Sequence, residues 1–551
     1  MPALIYYFQG WSRRSMIVLL LAAAFAAALS IPQALRGGRG LPHEGRHAEI
    51  AREMLWSGDL AVPRLLGKPY HEKPPLFYWL AAGSFRLSGV TDLESARRVN
   101  IALGAAGVLA AWALARMLAG PLAGILAAVF LASMVDWVRE SAAARTDMGA
   151  AAFGAIGAAF LWWGLRPGTE AMMGREAARW VGPILGGVCL ALSLLAKGPV
   201  APLVVTAGLA LMFLLDRKTL RHPSSAAVVA LLSFLSSAGG WALWTWQAGG
   251  EDYLRDLLFG EGLSKAWDHY PRSWAYYLAV IPARVLPFTV LLPCAVLESL
   301  RRWGDPDLRR RTAARLPLLW MSAGLVILSL IPSKRSQYVL PLLPFAAVHL
   351  ALFAAAWWEG TSTVPYGPCR LTGWILASGT AAGGAAAVAA GILVDPAHRA
   401  LLLAAGAALG LCGIRALVWM RMGRPGPVLG IFLAAWAAGI FLWGAAGLFS
   451  EISGEEVLLR HIRSAIPPGA RAVAYQSDAE PFALAWPTVP ERADTPQELE
   501  RAIGAGADHV LIPAPVLKDL PPAIAARLEF CAAEGAGDRK YPLQLWRGVR
   551  R

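Results

Sequence analysis

The sequence predicts an all-α polytopic membrane bundle of about thirteen transmembrane helices, with exterior amphipathic helices and a small C-terminal α/β exterior domain. Composition is the first reason: the 551 residues are 56% hydrophobic and only 16% charged, whereas about 25% of the residues of soluble domains are charged. The second reason is that the apolar residues form long blocks. Residues 16–34, 226–246 and 427–448 carry no charge over about the 20 residues that cross a hydrocarbon core. Such blocks are helical, because lipid offers no other partner for backbone N–H and C=O groups.

Thirteen blocks of this kind follow one another along the chain. The first follows Arg13 and Arg14 without a clear small-x-small cleavage site, so it is interpreted as a retained signal-anchor helix. The predicted spans are 16–34, 94–119, 121–138, 147–166, 180–197, 199–216, 225–247, 274–299, 315–332, 337–358, 372–394, 399–420 and 427–449.

Basic residues in the short loops predict the orientation. With the N-terminus inside, four of the loops that face the cytoplasm are rich in arginine, whereas the opposite loops are longer and carry basic residues beside acids. The four basic groups are Arg166/Arg175/Arg179, Arg217/Lys218/Arg221, Arg301/Arg302/Arg309/Arg310/Arg311 and Arg421/Arg424. The C-terminus then lies outside. The net charge of +14 is explained by this topology, so nucleic acid is not expected as a partner.

The chain divides into a transmembrane domain, residues 1–450, and a C-terminal exterior domain, residues 451–551. Two exterior loops, 36–93 and 248–273, belong to the first domain, and the second of them is the most charged segment between spans. The C-terminal domain is predicted to be α/β from its helical and strand patterns. Its predicted elements are helices over Glu455–Ile466 and Thr495–Ile503 and strands over Ala472–Tyr475 and His509–Ile512.

The first exterior loop contains two predicted amphipathic helices. Over Glu44–Trp56, apolar residues recur at helical spacing with charges on the remaining faces, which is typical of a helix at the membrane interface. A second helix over Leu76–Leu87 begins after Pro74-Pro75, where proline is compatible with a first turn.

Lysine usage indicates a phosphate site on the exterior face. The chain has 8 Lys beside 43 Arg, and five of these lysines are predicted to face outside: Lys68, Lys73, Lys197, Lys265 and Lys334. An ammonium group suits a phosphate oxygen, and arginine adds a bidentate fork. The alternative for any single lysine is snorkelling to lipid headgroups.

Three further motifs place polar groups at the same face. Glu72-Lys73 precedes two prolines that fix the backbone, and Ser333-Lys334-Arg335 ends a span. Asp147 starts a span, where a carboxylate is favoured by the helix dipole alone. His269 is compatible with a metal ligand or with a surface histidine. The sequence contains no Walker loop, HExxH, GxSxG or dinucleotide fingerprint, which argues against an ATP-driven pump and common hydrolases.

Several of these motifs, in this order, resemble a family of membrane glycosyltransferases. The run from Leu41 to Leu55 is similar to the first exterior loop of polyprenyl-phosphate-sugar-dependent enzymes related to protein O-mannosyltransferases, and most of all to bacterial lipid A aminoarabinose transferases. Further motifs recur in the family's order: Tyr70–Pro75, Arg145-Thr146-Asp147, Lys197-Gly198-Pro199, His269–Arg272 and Ser333–Tyr338. The resemblance covers most of the membrane domain to about residue 345 and implies the GT-C fold.

The resemblance also implies roles for particular residues. Arg46 and Lys73 match positions that hold the donor phosphate. Glu72 and His269 match a divalent-metal site, for which Zn, Mg or Mn is expected. The remaining matches are an active-site carboxylate at Asp147 and donor-cavity positions at Tyr70, Lys334, Arg335 and Tyr338.

One position departs from the family pattern. The family begins this loop with Asp-Glu, and here the pair is His43-Glu44. Three interpretations follow: His43 takes the catalytic role as a neutral imidazole, Glu44 or Asp147 takes it, or the activity is lost or changed. A phosphate acceptor is already largely ionised near neutral pH and needs little base, so losing the Asp harms a phosphate-glycosylating enzyme less than a hydroxyl-glycosylating one.

The function predicted from these features is sugar transfer from a polyprenyl-phosphate donor to an envelope lipid, such as a lipid A-like phosphate, or to a glycan. The reaction is expected on the periplasmic side of the bacterial inner membrane. The alternatives are a protein O-glycosyltransferase, an inactive scaffold and a transporter of polyprenyl-linked substrates. Transporters place their polar sites near the midplane, whereas the charged residues here cluster at the exterior boundary.

Overall fold

The fold is known from a computed structural model, which describes most of the chain. The described residues are 13–35, 44–166, 175–220, 223–260, 272–393, 396–422, 426–446, 470–476, 491–513, 516–533 and 543–548. The predicted helix Glu455–Ile466, His43 and His269 lie outside them.

The membrane domain is built almost entirely from helices. In chain order they are α1 (Arg13–Leu35), α2 (Glu44–Ser57), α3 (Leu76–Ser88), α4 (Leu93–Ala119), α5 (Pro121–Ser133), α6 (Val135–Ser141), α7 (Asp147–Leu165), α8 (Arg175–Lys197), α9 (Val200–Leu215), α10 (Pro223–Arg255), α11 (Tyr276–Arg284), α12 (Leu292–Arg301), α13 (Leu308–Leu330), α14 (Leu343–Trp358), α15 (Tyr366–Leu393), α16 (Pro396–Arg421) and α17 (Gly426–Ala446). A short hairpin, β1 (Arg64–Leu65) and β2 (Lys68–Pro69), joins α2 to α3.

The helices confirm a multi-pass membrane protein. Among the described residues, eight helices are long and apolar enough to cross a membrane, and ten spans result if two bent helix pairs each count as one. Three shorter apolar helices, Leu20–Pro32, Val200–Leu215 and Pro427–Phe441, coincide with further predicted spans. Every predicted span therefore falls on a helix or a bent pair, while the number thirteen itself stays a prediction.

Close helix contacts bring α4, α6 and α7 together. The indole Nε1 of Trp137 in α6 donates to the Gly104 carbonyl of α4 at 3.2 Å. A Cβ added to Gly107 would lie 2.5 Å from the Trp137 ring, so this contact requires glycine. The contact fixes α6, and with it the loop that leads to Asp147.

The first exterior loop differs from its prediction in one respect. Helix α2 forms as predicted, but its charged residues do not face outward: Glu49 is 0% exposed and Arg52 is 2% exposed. The two side chains pair at 2.7 Å inside the fold. Periodicity assigned them to a solvated face because it cannot detect a second layer, here α3 and the hairpin, that covers the helix.

Helix α10 is interrupted near the predicted start of the second exterior loop. Gly250 has a φ of 82°, which lies outside the helical range, and a short helical stretch then runs to Arg255. A single turn of π-helix follows over Asp256–Gly260. The charged residues Glu251 and Asp252 follow the interruption, and residues 261–271 lie outside the described part of the chain.

The C-terminal domain contains a mixed sheet. Its elements are β3 (Ala472–Tyr475), β4 (Glu491–Ala493), α18 (Pro496–Gly504), β5 (His509–Pro513), α19 (Pro522–Ala525), β6 (Leu528–Ala533) and β7 (Leu543–Gly548). The strand order is β4-β3-β5-β7-β6; β3 pairs parallel with β4 and β5, and the other pairs are antiparallel. Thr495 and Glu498 form a capping box at the start of α18.

Candidate active site

A fixed loop between the hairpin and α3 carries three of the predicted site residues. Leu66 (φ 52°) and Gly67 (φ 77°) form the left-handed turn of the hairpin, and the carboxylate of Glu53 accepts from the Gly67 N–H at 3.0 Å. The Tyr253 hydroxyl of α10 donates to the Tyr70 carbonyl at 2.9 Å. The segment Tyr70–Lys73 is therefore held from both sides.

Within this loop, Glu72 contacts three other residues that were predicted to belong to the site. The Tyr70 hydroxyl donates to the Glu72 carboxylate at 3.4 Å, and Arg46 of α2 lies 3.6 Å from the same carboxylate. Lys73 donates to the Glu72 carbonyl at 3.0 Å. Burial raises the pKa of the Tyr70 hydroxyl, so this phenol stays protonated at neutral pH and acts as a donor.

The start of α7 and the end of α8 carry a second charged group. The amine of Lys197 forms an ion pair with Asp147 and lies 5.0 Å from the centre of the Tyr338 ring. Arg145, two residues before Asp147, pairs with Glu140 at 3.3 Å. Asp147 at the first turn of α7 also faces the positive end of the helix dipole.

Glu44 is part of a buried ion pair that holds the loop before α7. Its carboxylate accepts two hydrogen bonds from Arg97 of α4, at 3.0 and 2.9 Å, and another from the Ala144 N–H. The amide of Asn100 donates to the Arg145 carbonyl at 2.7 Å. Glu44 is 2% exposed, so it positions Arg145 and Asp147 rather than facing a substrate.

His47 is a buried histidine of α2, next to Arg46 in the sequence. Its Nδ1 is 3.2 Å from the Tyr78 hydroxyl, and the residue is buried. Burial, together with the charges of Arg46, Arg145 and Lys73, keeps the His47 pKa well below its usual range, although Asp147 acts in the opposite direction. The imidazole is therefore neutral at pH 7.

The segment after α13 carries the remaining predicted residues and reaches the second charged group. Lys334 is buried and its amine donates to the Ile331 carbonyl at 2.6 Å. The Arg335 carbonyl accepts from the Tyr277 hydroxyl at 3.3 Å. Tyr338, under Lys197, connects this segment to the second charged group.

The structure thus unites nine of the predicted site residues at one end of the bundle, hereafter the site end. They are Glu44, Arg46, Tyr70, Glu72, Lys73, Asp147, Lys334, Arg335 and Tyr338. Lys197 was predicted only as one of five exterior lysines and was given no individual role, and Arg145 and His47 were not selected as site residues. Arg145 lies in a recognised motif, whereas His47 carried no signal of its own.

The structure describes one of the two predicted metal ligands. Glu72 offers a carboxylate, and His269 lies outside the described residues. In the described part of the chain, no three His, Cys, Asp or Glu side chains come together as a metal site requires.

Comparisons with known proteins agree with this architecture. Residues 15–246 match the family model described as dolichyl-phosphate-mannose-protein mannosyltransferase. An undecaprenyl phosphate-alpha-4-amino-4-deoxy-L-arabinose arabinosyl transferase of Pseudomonas aeruginosa is 29% identical over 61% of this chain and 58% of its own length. One from Pseudomonas savastanoi is 28% identical over 59% of each chain. The match therefore spans less than two thirds of these relatives' length.

Solved structures extend the likeness to nearly the whole chain. ArnT from Cupriavidus metallidurans, bound to undecaprenyl phosphate, superposes with a TM-score of 0.73 at 17% identity, covering 98% of this chain and 99% of that one. An oligosaccharyltransferase from Archaeoglobus fulgidus gives a TM-score of 0.52 at 14% identity, covering 91% and 70%. The chain has the GT-C membrane fold, and the predicted resemblance to the glycosyltransferases related to protein O-mannosyltransferases is confirmed.

Proposed function

We propose that this protein is an integral membrane glycosyltransferase that moves a sugar from a polyprenyl-phosphate donor to an envelope lipid or glycan. The observation that carries the proposal is the position of three cations at the site end. Arg46 and Lys73 contact Glu72, and Lys197 pairs with Asp147. The names of its relatives, which specify undecaprenyl phosphate, support a donor of the same class. The periplasmic side of the bacterial inner membrane is proposed from the distribution of basic loops.

The chemistry requires stabilisation of a departing phosphate. When the bond between the anomeric carbon and the phosphate oxygen breaks, the polyprenyl phosphate gains one negative charge. Arg46 and Lys73 are proposed to bind this group, since they are fixed through Glu72 before the donor arrives. Preorganised charges of this kind act without reorganisation in the transition state. Tyr338, Lys334 and Arg335 are proposed to border the same cavity.

The other groups of the site have supporting roles. Asp147 is proposed to hold Lys197 in the cavity through their ion pair. A divalent metal on Glu72 and His269 remains part of the proposal; when bound it would supply Lewis-acid stabilisation. Glu72 is compatible with that role because its carboxylate is 31% exposed. The C-terminal α/β domain is proposed to cover the site, since Asp494 pairs with Lys68 of the hairpin at 2.9 Å.

The alternative outside the enzymes is a transporter of polyprenyl-linked substrates. The acceptor also distinguishes a lipid-modifying enzyme from a protein O-glycosyltransferase. A glycosyltransferase releases free polyprenyl phosphate whichever acceptor it uses, whereas a transporter does not. Measuring this product with different acceptors therefore answers both questions.

The test uses purified full-length protein in lipid, with labelled polyprenyl-phosphate sugars and candidate lipid, glycan and peptide acceptors. Acceptor-dependent release of polyprenyl phosphate is expected, with a loss of about 10²–10³-fold in Lys73→Ala, the usual effect of removing one group that stabilises developing charge. Lys218→Ala, at the other end of the bundle, is the control and should keep full activity. Binding of the donor without release under any condition would favour the transporter.

A further inference from the structure

Two helices of the bundle are broken, and their breaks meet. Helix α5 bends by 66° into α6, and α11 bends by 113° into the helical stretch Phe288–Arg301. Among the described residues, these are the two helix pairs that could each cross a membrane together despite a bend. The Val135 N–H at the first break donates to the Leu286 carbonyl at the second, 3.5 Å away. A break frees backbone groups that lipid cannot satisfy, so each break needs partners inside the protein.

An arginine joins both breaks to the segment that carries part of the site. One terminal nitrogen of Arg284, the last residue of α11, donates to both carboxylate oxygens of Asp136 in α6, at 2.6 Å each. The other terminal nitrogen donates to the Ser336 hydroxyl. The Arg284 and Asp136 side chains are 19% and 14% exposed, so both lie mostly inside the fold. The planar fork of the guanidinium group thus holds α6 and the segment after α13 at once.

Two further hydrogen bonds fix the same segment beside α11. The Arg272 N–H donates to the Pro332 carbonyl at 3.3 Å, and the Tyr277 hydroxyl donates to the Arg335 carbonyl at 3.3 Å. Both of these bonds end on backbone carbonyls, which no side-chain substitution in the segment removes. The bond from Arg284 ends on the Ser336 hydroxyl instead, so a single substitution can remove it alone.

The position of Tyr338 depends on the residue at which its helix begins. Ser336 is the first residue of a 3₁₀ helix over Ser336–Leu342, and Tyr338 follows two residues later. The Tyr338 ring centre lies 5.0 Å from the Lys197 amine, which also pairs with Asp147. A cation is attracted to the face of an aromatic ring. A shift at Ser336 would therefore move one of the two groups that hold Lys197.

We propose that Arg284 is a positioning residue of the transferase site. The inference rests on the proposed function and extends it. Arg284, anchored on Asp136 at the break between α5 and α6, holds Ser336 at the start of the 3₁₀ helix. This helix sets the Tyr338 ring, and the ring helps to set the Lys197 amine that faces the developing charge of the phosphate. An ion pair that only closed the two breaks would need no third bond to this segment.

The first test removes the bond to the segment and leaves the ion pair in place. Ser336→Ala keeps the Arg284–Asp136 pair, so thermal unfolding and binding of labelled polyprenyl phosphate should match wild type. Its kcat for polyprenyl-phosphate release should fall about 10–10²-fold, as expected for a group displaced by about 1 Å, with little change in the KM for the donor. Ser336→Thr keeps a hydroxyl and should restore most of the rate. Ser237→Ala is the matched control with full activity expected, since that hydroxyl donates to the Ser233 carbonyl of its own helix at 2.8 Å.

The second test asks whether the effect passes through Lys197. Arg284→Lys keeps a positive charge for Asp136 but lacks a second nitrogen for Ser336, so it should lose about as much rate as Ser336→Ala. In a Lys197→Met protein the cation to be positioned is absent. Adding Ser336→Ala or Arg284→Lys to this protein should therefore lower the rate no further, because residues that act through one group are not additive.

Separate outcomes identify which proposal fails. A wild type that releases no polyprenyl phosphate with any acceptor overturns the proposed function, and the role of Arg284 with it. A wild type that turns over beside Ser336→Ala and Arg284→Lys proteins of similar rate overturns only the role of Arg284. Losses of Ser336→Ala and Lys197→Met that multiply in the double variant overturn it as well, since Ser336 would then act independently of Lys197.

Discussion

The two ends of the membrane bundle both carry clustered charges, but they use them differently. At the site end, Glu44 and Arg97 are 2% and 6% exposed and surrounded by fixed hydrogen bonds. At the opposite end, Asp216 pairs with Arg311 at 2.8 Å, and these side chains are 10% and 18% exposed. Helix α9 starts beside Lys197 and ends beside Asp216; its 16 residues separate the two ends by about 24 Å at 1.5 Å per residue.

The difference shows how one chain uses arginine for two purposes. The arginines of the opposite end lie in the loops from which the sequence predicts the orientation of the protein, and for that purpose only the sign of their charge matters. At the site end, Glu44, Glu72, Glu140 and Asp147 each have a defined cationic partner, so these charges determine geometry. Substitutions at the two ends should therefore have different consequences for stability and for activity.

The largest contrast is expected for removal of one arginine from each end. Arg97→Met leaves Glu44 as a buried carboxylate without its cation, which typically costs about 3–5 kcal/mol. Arg311→Met should cost less, because Arg315 still lies 3.7 Å from the Asp216 carboxylate and this charge keeps a cationic neighbour. Thermal unfolding of the two variants in the same lipid, beside wild type, measures the contrast. Similar shifts in Tm would show that burial does not separate the two ends.

A second contrast concerns activity rather than stability. Lys197→Met removes the cation held by Asp147 over the Tyr338 ring. The polyprenyl-phosphate release rate should fall about 10²–10³-fold, as for other groups that stabilise developing charge. Lys218→Met at the opposite end should leave the rate unchanged. A Lys197→Met protein that retains its rate while losing thermal stability would assign the Asp147–Lys197 pair a structural role only.

The contrast also explains how much could be predicted from the sequence. Apolar blocks predicted the positions of the long apolar helices among the described residues, because lipid acts on each segment independently of the others. In the C-terminal domain, two of the five strands were predicted, β3 and β5; these have buried, apolar residues. Strands such as β4, with the sequence Glu-Arg-Ala, contain too few apolar residues for periodicity to detect.

Within the site, the sequence predicted individual residues but not the residues with which they pair. Lys73, Arg46 and Asp147 were selected because motifs carry them, and the structure brings them to one end of the bundle. The pairs Glu44–Arg97 and Asp147–Lys197 join residues 53 and 50 positions apart in the chain, and no local pattern encodes such a distance. The burial of Glu49 was not predicted for the same reason, since the covering layer is a separate element.

The buried carboxyl of Glu49 should make the stability of the first exterior loop depend on pH, whereas an exposed carboxyl should not. Burial raises the pKa of its carboxyl from 4.5 to about 7, against the effect of Arg52. A raised folded-state pKa stabilises the fold below about pH 4.5, and this contribution is lost as the pH rises through about 7. The unfolding free energy of the first exterior loop should thus fall by at most about 3 kcal/mol over this range.

Hydrogen exchange of α2 at several pH values measures this change. Glu49→Gln should make the protection of α2 independent of pH in that window. Glu94→Gln, which alters a carboxylate that is 40% exposed, is the matched control and should behave as wild type. Protection that increases with pH in the wild type would contradict the predicted sign.

The smallest effect is expected at the position where the chain departs from the family pattern. A phosphate acceptor is already largely ionised near neutral pH and needs little base. His43→Ala should therefore retain the polyprenyl-phosphate release rate within about 3-fold with a phosphate acceptor, a difference of about 0.7 kcal/mol. With a hydroxyl acceptor the same variant should lose more if His43 takes the acceptor proton, since a general base typically contributes about 10²–10⁴-fold. A loss that approaches 10⁴-fold with the phosphate acceptor would contradict the prediction, because it would show that the residue that replaces the Asp is needed even when the acceptor is already ionised.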